Sequence, residues 1–243
     1  MNSATLIQED HRTQLGSIAG SFTAQVFGWM TLGLMITTVI AFFIDYLINN
    51  TYTLNNVVVT ALPLVFVVEV IVVIVLSAFW RKLGGILSLG LFFFYAALNG
   101  VLIGLIISAY SVESIIFSFG VSAIVFLLLA GYGAITKSDL TRWGNIAMFG
   151  LVGLVFATII NIIISVFNSN LSNGIYWITT YIGVGIFCIL IAYDAQKIRA
   201  LALEAQQNQD GLLKYSIRGA LVFYLDFINI FIRILAITGR RRR

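Results

Sequence analysis

The chain alternates long apolar runs with short polar connections. Seven runs predict membrane-crossing helices: Ala24–Ile48, Val57–Phe79, Leu83–Ser108, Ser114–Ile135, Asn145–Phe167, Ile175–Asp194 and Gly219–Ile237. A helix needs about 20 residues to cross about 30 Å of hydrocarbon, and these runs match that length. Strands of a membrane barrel are shorter and alternate in polarity, so helices remain as the way to satisfy the backbone in lipid. The expected fold is an all-α membrane protein, a seven-transmembrane-helix bundle. Residues 1–22 form its N-terminal tail, 23–239 its transmembrane domain and 240–243 a basic C-terminal tail.

The polar connections alternate in charge. Asn49–Asn56, Ala109–Glu113 and Asn168–Gly174 hold no Lys or Arg. The other side collects Arg12, Arg81, Lys82, Lys137, Arg142, Lys197, Arg199, Lys214 and Arg218. The positive-inside rule places this second set, and with it the N-terminus, in the cytoplasm. The polar start lacks a cationic opening and a small-residue cleavage site, so the first apolar run is expected to be retained. One feature conflicts: a seventh crossing carries Arg240–Arg243 outside. The alternative is a re-entrant last helix with the tail anchored on anionic lipid. Because the first helices usually dominate orientation, seven crossings are expected.

Composition fits this pattern. Hydrophobic residues make up 60% of the 243 positions and charged residues 10%, where a soluble domain carries about 25% charged. The pI near 9.3 does not point to nucleic acid, because the basic residues sit in loops between apolar runs. The single cysteine, Cys188, lies inside a run and excludes a disulfide framework or cysteine metal cluster. His11 stands in the tail without a ligand set.

The informative positions are the acids within the runs. Asp194 closes the sixth run and Asp226 lies well inside the seventh; an intramembrane carboxylate is costly and marks a functional path. Both are expected at similar depth on the cytoplasmic side of a helical hairpin. At the C-terminal end of its run, Asp194 would also oppose the helix dipole. Two neighbouring carboxylates cannot both ionise freely, which makes the pair a candidate pH sensor, and carboxylate oxygens suit Ca²⁺, so the same two residues are candidate calcium ligands. Asp226, Asn229 and Arg233 fall on one helical arc, a polar stripe that puts the seventh helix in the centre of the bundle and makes Asn229 and Arg233 candidates to line a wet or protein-lined path. The plainer alternatives are an Asp226–Arg233 ion pair and a local pair of Asp194 with Lys197 or Arg199. Glu69, in the second run, is a path-lining candidate or a packing carboxylate. Arg81 is a latch candidate for the hairpin aspartates or a headgroup anchor. Gly100 with Gly104, Gly150 with Gly153, and Gly183 with Gly185 offer close helix approaches.

No phosphate loop, HExxH motif or Ser–His–Asp set is present. Tyr193-Asp194 matches half of the intramembrane aspartyl-protease signature, but Phe223-Tyr224-Leu225-Asp226 lacks both glycines of the other half. No proline follows Pro63 to supply the Pro-Ala-Leu element. An enzyme is not expected.

VFGWMTLGL, FFFYAALNGVLIG, GYGAITKSDLTRWGN, IAYDAQKI and YLDFINIFIRIL resemble the Bax inhibitor-1 family in its bacterial branch, from about Phe22 to the end. The resemblance implies seven helices with the last surrounded by six, a bacterial inner-membrane location and a pH-sensitive Ca²⁺ leak. It implies that Asp194 and Asp226 are the sensor, that Arg81 is its latch partner and that Glu69 is the second-helix acid. The expected partners are the lipid bilayer, calcium as permeant ion and a membrane-bound protease, with no cofactor and no nucleic acid. A pH-gated Ca²⁺ leak channel is the leading expectation. A non-conducting modulator of a membrane protease or stress and cell-death pathway is the second, and a calcium/proton exchanger the third.

Overall fold

The computed structural model describes residues 3–50, 52–80, 82–207 and 211–242, with side chains for 20–50, 64–65, 67–80, 82–202, 204–205 and 211–242. These residues form seven helices: α1 Ser3–Asn50, α2 Tyr52–Ala78, α3 Gly85–Ile107, α4 Val112–Ile135, α5 Thr141–Phe167, α6 Ser169–Gln207 and α7 Leu212–Thr238. Six contain stretches long and apolar enough to cross a membrane; in α2 the described apolar stretch is the shorter Val67–Ala78. Large hydrophobic side chains such as Phe149, Phe167, Val166 and Ile135 face outward, as a lipid-facing surface requires. α7 is the most buried of the six, 61% of its apolar window against 11–44% elsewhere.

Several helices run beyond the expected spans: α1 begins 21 residues before Ala24, at Ser3, and α7 seven residues before Gly219, at Leu212. α6 does not end at Asp194 but runs 13 residues further, through AQKIRALALEAQQ. That stretch is polar enough to leave the apolar span, yet Ala, Leu, Glu, Gln, Lys and Arg all favour helix, so the span ends and the helix does not. Asp194 therefore does not oppose a helix terminus, and the dipole argument falls. Asp194 is 13 residues from the end of α6 and Asp226 is 14 from the start of α7, about 20 Å in each case.

The chain divides into two compact units. The first comprises Met1–Ser108 with Ile198–Tyr224. In it α3 packs against α1 and α2. A Cβ at Gly100 would approach Thr37 O to 2.9 Å, and one at Gly104 would approach Ala41 O to 2.8 Å. These glycines therefore allow the backbone approach expected of them. At the end of α2, Trp80 meets Tyr215 edge-on at 5.3 Å, and the Arg218 guanidinium lies 3.9 Å from its ring centre.

The second unit comprises Ala109–Lys197 with Leu225–Arg243. Phe227 of α7 packs edge-on against Phe119 and Phe126 of α4 at 5.2 and 5.7 Å. Ser111 caps α4 by accepting from Ser114 N at 3.4 Å. Before α5, Asp139 accepts from Thr141 N at 2.9 Å. The Thr141 hydrogen bonds hold this exposed carboxyl below the usual range. Its small contribution is present above the ordinary carboxylate pKa and is lost as pH falls through the lowered one.

The basic tail is tied down by main-chain bonds. Ser111 N donates to Arg240 O at 3.0 Å and Arg242 N to Ala109 O at 2.9 Å. Arg240 N donates to Ser114 Oγ at 2.9 Å, and Ser118 shares a 2.8 Å hydrogen bond with Thr238. Gly239 leaves room for the Tyr110 ring. The tail thus lies beside the α3–α4 connection, which carries no Lys or Arg. Single cysteines at Val112 and Arg242 should label from the same side of the membrane. Labelling from opposite sides would show that the tail does not stay there.

Candidate functional site

In the second unit, small residues let the helices close around the segment that carries Asp194. A Cβ at Gly133 would overlap the carbonyl oxygen of Ala192, and one at Gly144 would run into the Tyr193 ring. α4 and α5 thus rest directly on the two residues before Asp194. Gln196, two residues after it, holds the α4–α5 connection with both ends of its amide. Its Nε2 donates to Ser138 O at 2.8 Å and its Oε1 accepts from Leu140 N at 3.0 Å. Asp194 is therefore fixed on both sides by the GYGAITKSDLTRWGN segment.

Asp226 is 5% exposed, and its Oδ2 is buried with no hydrogen-bond partner among the described residues. The charge that acts on it is Asp194, so the structure brings together the two aspartates the sequence singled out. Lys197 is a nearby charge for Asp194, while its ammonium lies 4.4 Å from the Tyr193 ring centre. A desolvated carboxyl pair holding an unpartnered oxygen can take up and release a proton as one unit.

The rest of the α7 stripe behaves differently. Asn229 donates back to Leu225 O at 2.8 Å. Arg233 Nη1 donates to Thr179 O at 3.0 Å, with Phe187 at 5.4 Å. The guanidinium lies over Gly183, where a Cβ would collide with it. Arg233 thus bonds to α6 and does not close an ion pair with Asp226. Of the glycine pairs in this unit, Gly183 seats Arg233 and Gly150 approaches Ile186, whereas Gly153 and Gly185 face open space.

Glu69 lies in the first unit and is 7% exposed, with the Tyr95 hydroxyl in hydrogen-bonding reach. Asn99 Nδ2 donates to Tyr95 Oη at 3.3 Å. Beside them the Tyr224 hydroxyl donates to Thr37 Oγ1 at 2.6 Å, and Thr37 in turn donates to Ala96 O at 2.9 Å. The Tyr95 and Tyr224 rings meet edge-on at 5.9 Å. Arg81 lies outside the described residues.

These motifs can be compared with known proteins. The family model described as Inhibitor of apoptosis-promoting Bax1 matches residues 19–243. The chain belongs to the Bax inhibitor-1 family. The inner membrane protein YbhL of Escherichia coli strain K12 is 37% identical over 230 residues, covering 91% of this chain and 92% of YbhL. A protein of Deinococcus radiodurans is 37% identical over 221 residues, covering 91% of each chain. One of Borreliella burgdorferi is 31% identical over 228 residues, covering 93% of this chain and 94% of its own. With its six helices suited to crossing, this Bax inhibitor-1 family chain is a multi-pass inner-membrane protein.

Several supporting residues of this family member were not legible beforehand. Gln196 lies two residues past the expected end of the sixth span, where a polar residue is ordinary. Tyr95 and Tyr224 read as apolar filler. Tyr224 stands six residues from Arg218 and two from Asp226, which gives no one-face helical signal, whereas Tyr95 stands four residues from Asn99. That last spacing was the available signal. Glu69→Gln keeps a hydrogen-bonding partner for Tyr95 and should change stability by less than about 1 kcal/mol. Glu69→Leu strands the Tyr95 hydroxyl and should cost about 1–3 kcal/mol. Thermal unfolding in detergent checks both, and equal losses would remove Glu69 from the Tyr95 network.

Proposed function

We propose that the protein is a pH-sensitive, calcium-permeable leak channel gated by Asp194 and Asp226. In this reading seven helices cross the membrane with the N-terminus in the cytoplasm and α7 at the centre. The supporting observation is the carboxyl pair: Asp226 is buried, one of its oxygens lacks a partner among the described residues, and half-buried Asp194 is the charge that acts on it. Protonation changes the charge of such a pair without any new contact, and it can thereby bias the packing of α6 against α7. Glu69 attracts cations toward the path and Arg81 latches the aspartates. Asn229 and Arg233 continue the stripe. Calcium is the permeant ion, with the two aspartates as its transient oxygen ligands, and the protein carries no resident cofactor and performs no catalysis.

The family description, which concerns inhibition of apoptosis-promoting Bax, favours a second reading. Here the chain is a non-conducting modulator of a membrane protease or stress pathway. A calcium/proton exchanger is the third. Purified protein in liposomes, loaded with a calcium dye and tested across a pH series, separates the three. Saturation-free Ca²⁺ entry that varies with pH supports the channel. No entry at any pH overturns it in favour of the modulator. Proton movement in fixed ratio to Ca²⁺ supports the exchanger.

A further inference from the structure

Between α5, α6 and α7 of the second unit lies a half-open pocket of about 230 Å³. Its charged lining group is Arg233, and no Asp or Glu lines it among the described residues. We propose that this pocket binds an anionic phosphate group, through the Arg233 guanidinium.

Four observations converge. First, the guanidinium is seated by construction. Gly183 leaves the space it occupies, and Thr179 O fixes its Nη1 at 3.0 Å. An arginine that only reaches for the membrane surface needs neither feature. Second, with Nη1 engaged, its Nε remains buried and without a hydrogen-bond partner among the described residues. A guanidinium edge suits a planar or tetrahedral oxyanion, which it can hold through two hydrogen bonds. Third, the Asn161 Oδ1 in the same lining is also buried and unpartnered. Turning that amide over would present its NH₂ to the pocket as a further donor. Fourth, Tyr176 lines the same pocket, and a tyrosine hydroxyl can donate a hydrogen bond to an oxyanion.

The chemistry excludes a metal cation. Hydroxyl and amide oxygens are present, but a fixed positive charge and no carboxylate oppose Ca²⁺, which prefers several anionic oxygens. A lone guanidinium within a membrane span is costly without an anionic partner. Water occupies about 30 Å³ per molecule, so the pocket has room for a phosphate group with several waters. Arg233 is seven residues beyond Asp226, about 10 Å along the helix, so this site is separate from the carboxyl pair. The phosphate can come from solution or from a lipid headgroup.

Thermal unfolding of the purified protein tests the site in two arms. In detergent, inorganic phosphate is titrated against chloride at constant ionic strength. In nanodiscs, phosphatidylglycerol is compared with phosphatidylcholine. A saturable rise in unfolding temperature with inorganic phosphate, weakened at least about tenfold in apparent affinity by Arg233→Gln, supports a site for free phosphate. A rise confined to phosphatidylglycerol and lost in Arg233→Gln supports a headgroup site. Arg233→Lys keeps the charge but not the forked edge, and Gly183→Ala displaces the guanidinium. Both should weaken the response, while Gly185→Ala, with open space around it, should not. No response in either arm, or a response that survives in Arg233→Gln and Arg233→Lys alike, overturns the proposal.

Discussion

Asp194→Asn and Asp226→Asn should each flatten the pH dependence of Ca²⁺ flux in proteoliposomes, and the double variant should add little. The expectation follows from the two groups acting as one titrating unit: removing either proton-binding partner disables the unit, and non-additivity is the signature of shared work. A one-proton switch changes an equilibrium by at most about tenfold per pH unit, which sets the size of the response to be lost. The two substitutions should differ in stability. Asp226 is buried and one of its oxygens has no partner among the described residues, so an Asn amide there must find acceptors for two new N–H groups, at a cost of about 1–3 kcal/mol for each one left unmet. Half-buried Asp194 should tolerate the change better. Flux must therefore be normalised to folded protein. The direction of gating depends on whether protonation releases an Arg81 latch or relieves carboxylate repulsion, and the wild-type curve reports it. If both single variants keep the wild-type pH response, the aspartates are not the sensor.

Gly133→Ala should be among the most damaging substitutions that touch no ionisable group. Its Cβ would fall on the Ala192 carbonyl oxygen and within 2.7 Å of the carbonyl carbon. These are backbone atoms of α6 and cannot rotate away, so α4 must move off the segment holding Asp194. Overpacking of this kind costs about 1–3 kcal/mol and occasionally more, and the upper end is expected here. Gly131→Ala, two residues earlier, meets nothing within 4 Å. It should leave stability unchanged or raise it by up to about 1 kcal/mol, as alanine outperforms glycine in a helix. Unfolding temperatures of the two variants give the comparison. Similar losses at both positions would show that the close approach at Ala192 does not control stability.

The apolar runs revealed the helices because lipid imposes length and hydrophobicity together. They located the ends of α3 and α4 to within two residues. They misplaced the end of α6 and the start of α7 because those helices leave the apolar layer and continue through residues with high intrinsic helix propensity. Hydropathy reports where lipid stops, whereas propensity and capping decide where the helix stops. Asp194 and Asp226 were visible because a carboxylate stands out in an apolar run, and their equal distance from the α6–α7 turn placed them at one depth. The residues that hold them were hidden. Nothing in the spacing distinguishes Gly133, which receives a carbonyl, from Gly131, which receives nothing. The same holds for Gly183 and Gly185. Which glycine faces a neighbour depends on helix rotation, and the low amphipathicity of an all-round apolar helix leaves that rotation unmarked.

The amide of Gln196 joins two places that would otherwise be independent. Asp194 lies within the apolar layer, the Ser138–Leu140 connection lies outside it, and two residues of α6 plus one side chain link them. A displacement of α6 at the carboxyl pair must pull on that connection or break its two hydrogen bonds. Thermodynamic linkage makes the relation mutual. Any molecule that grips the α4–α5 connection and prefers one position of α6 must shift proton uptake at the pair by the same free energy with which proton uptake shifts its own binding. In the proposed channel, this amide makes the α4–α5 connection a handle on the proton of the carboxyl pair.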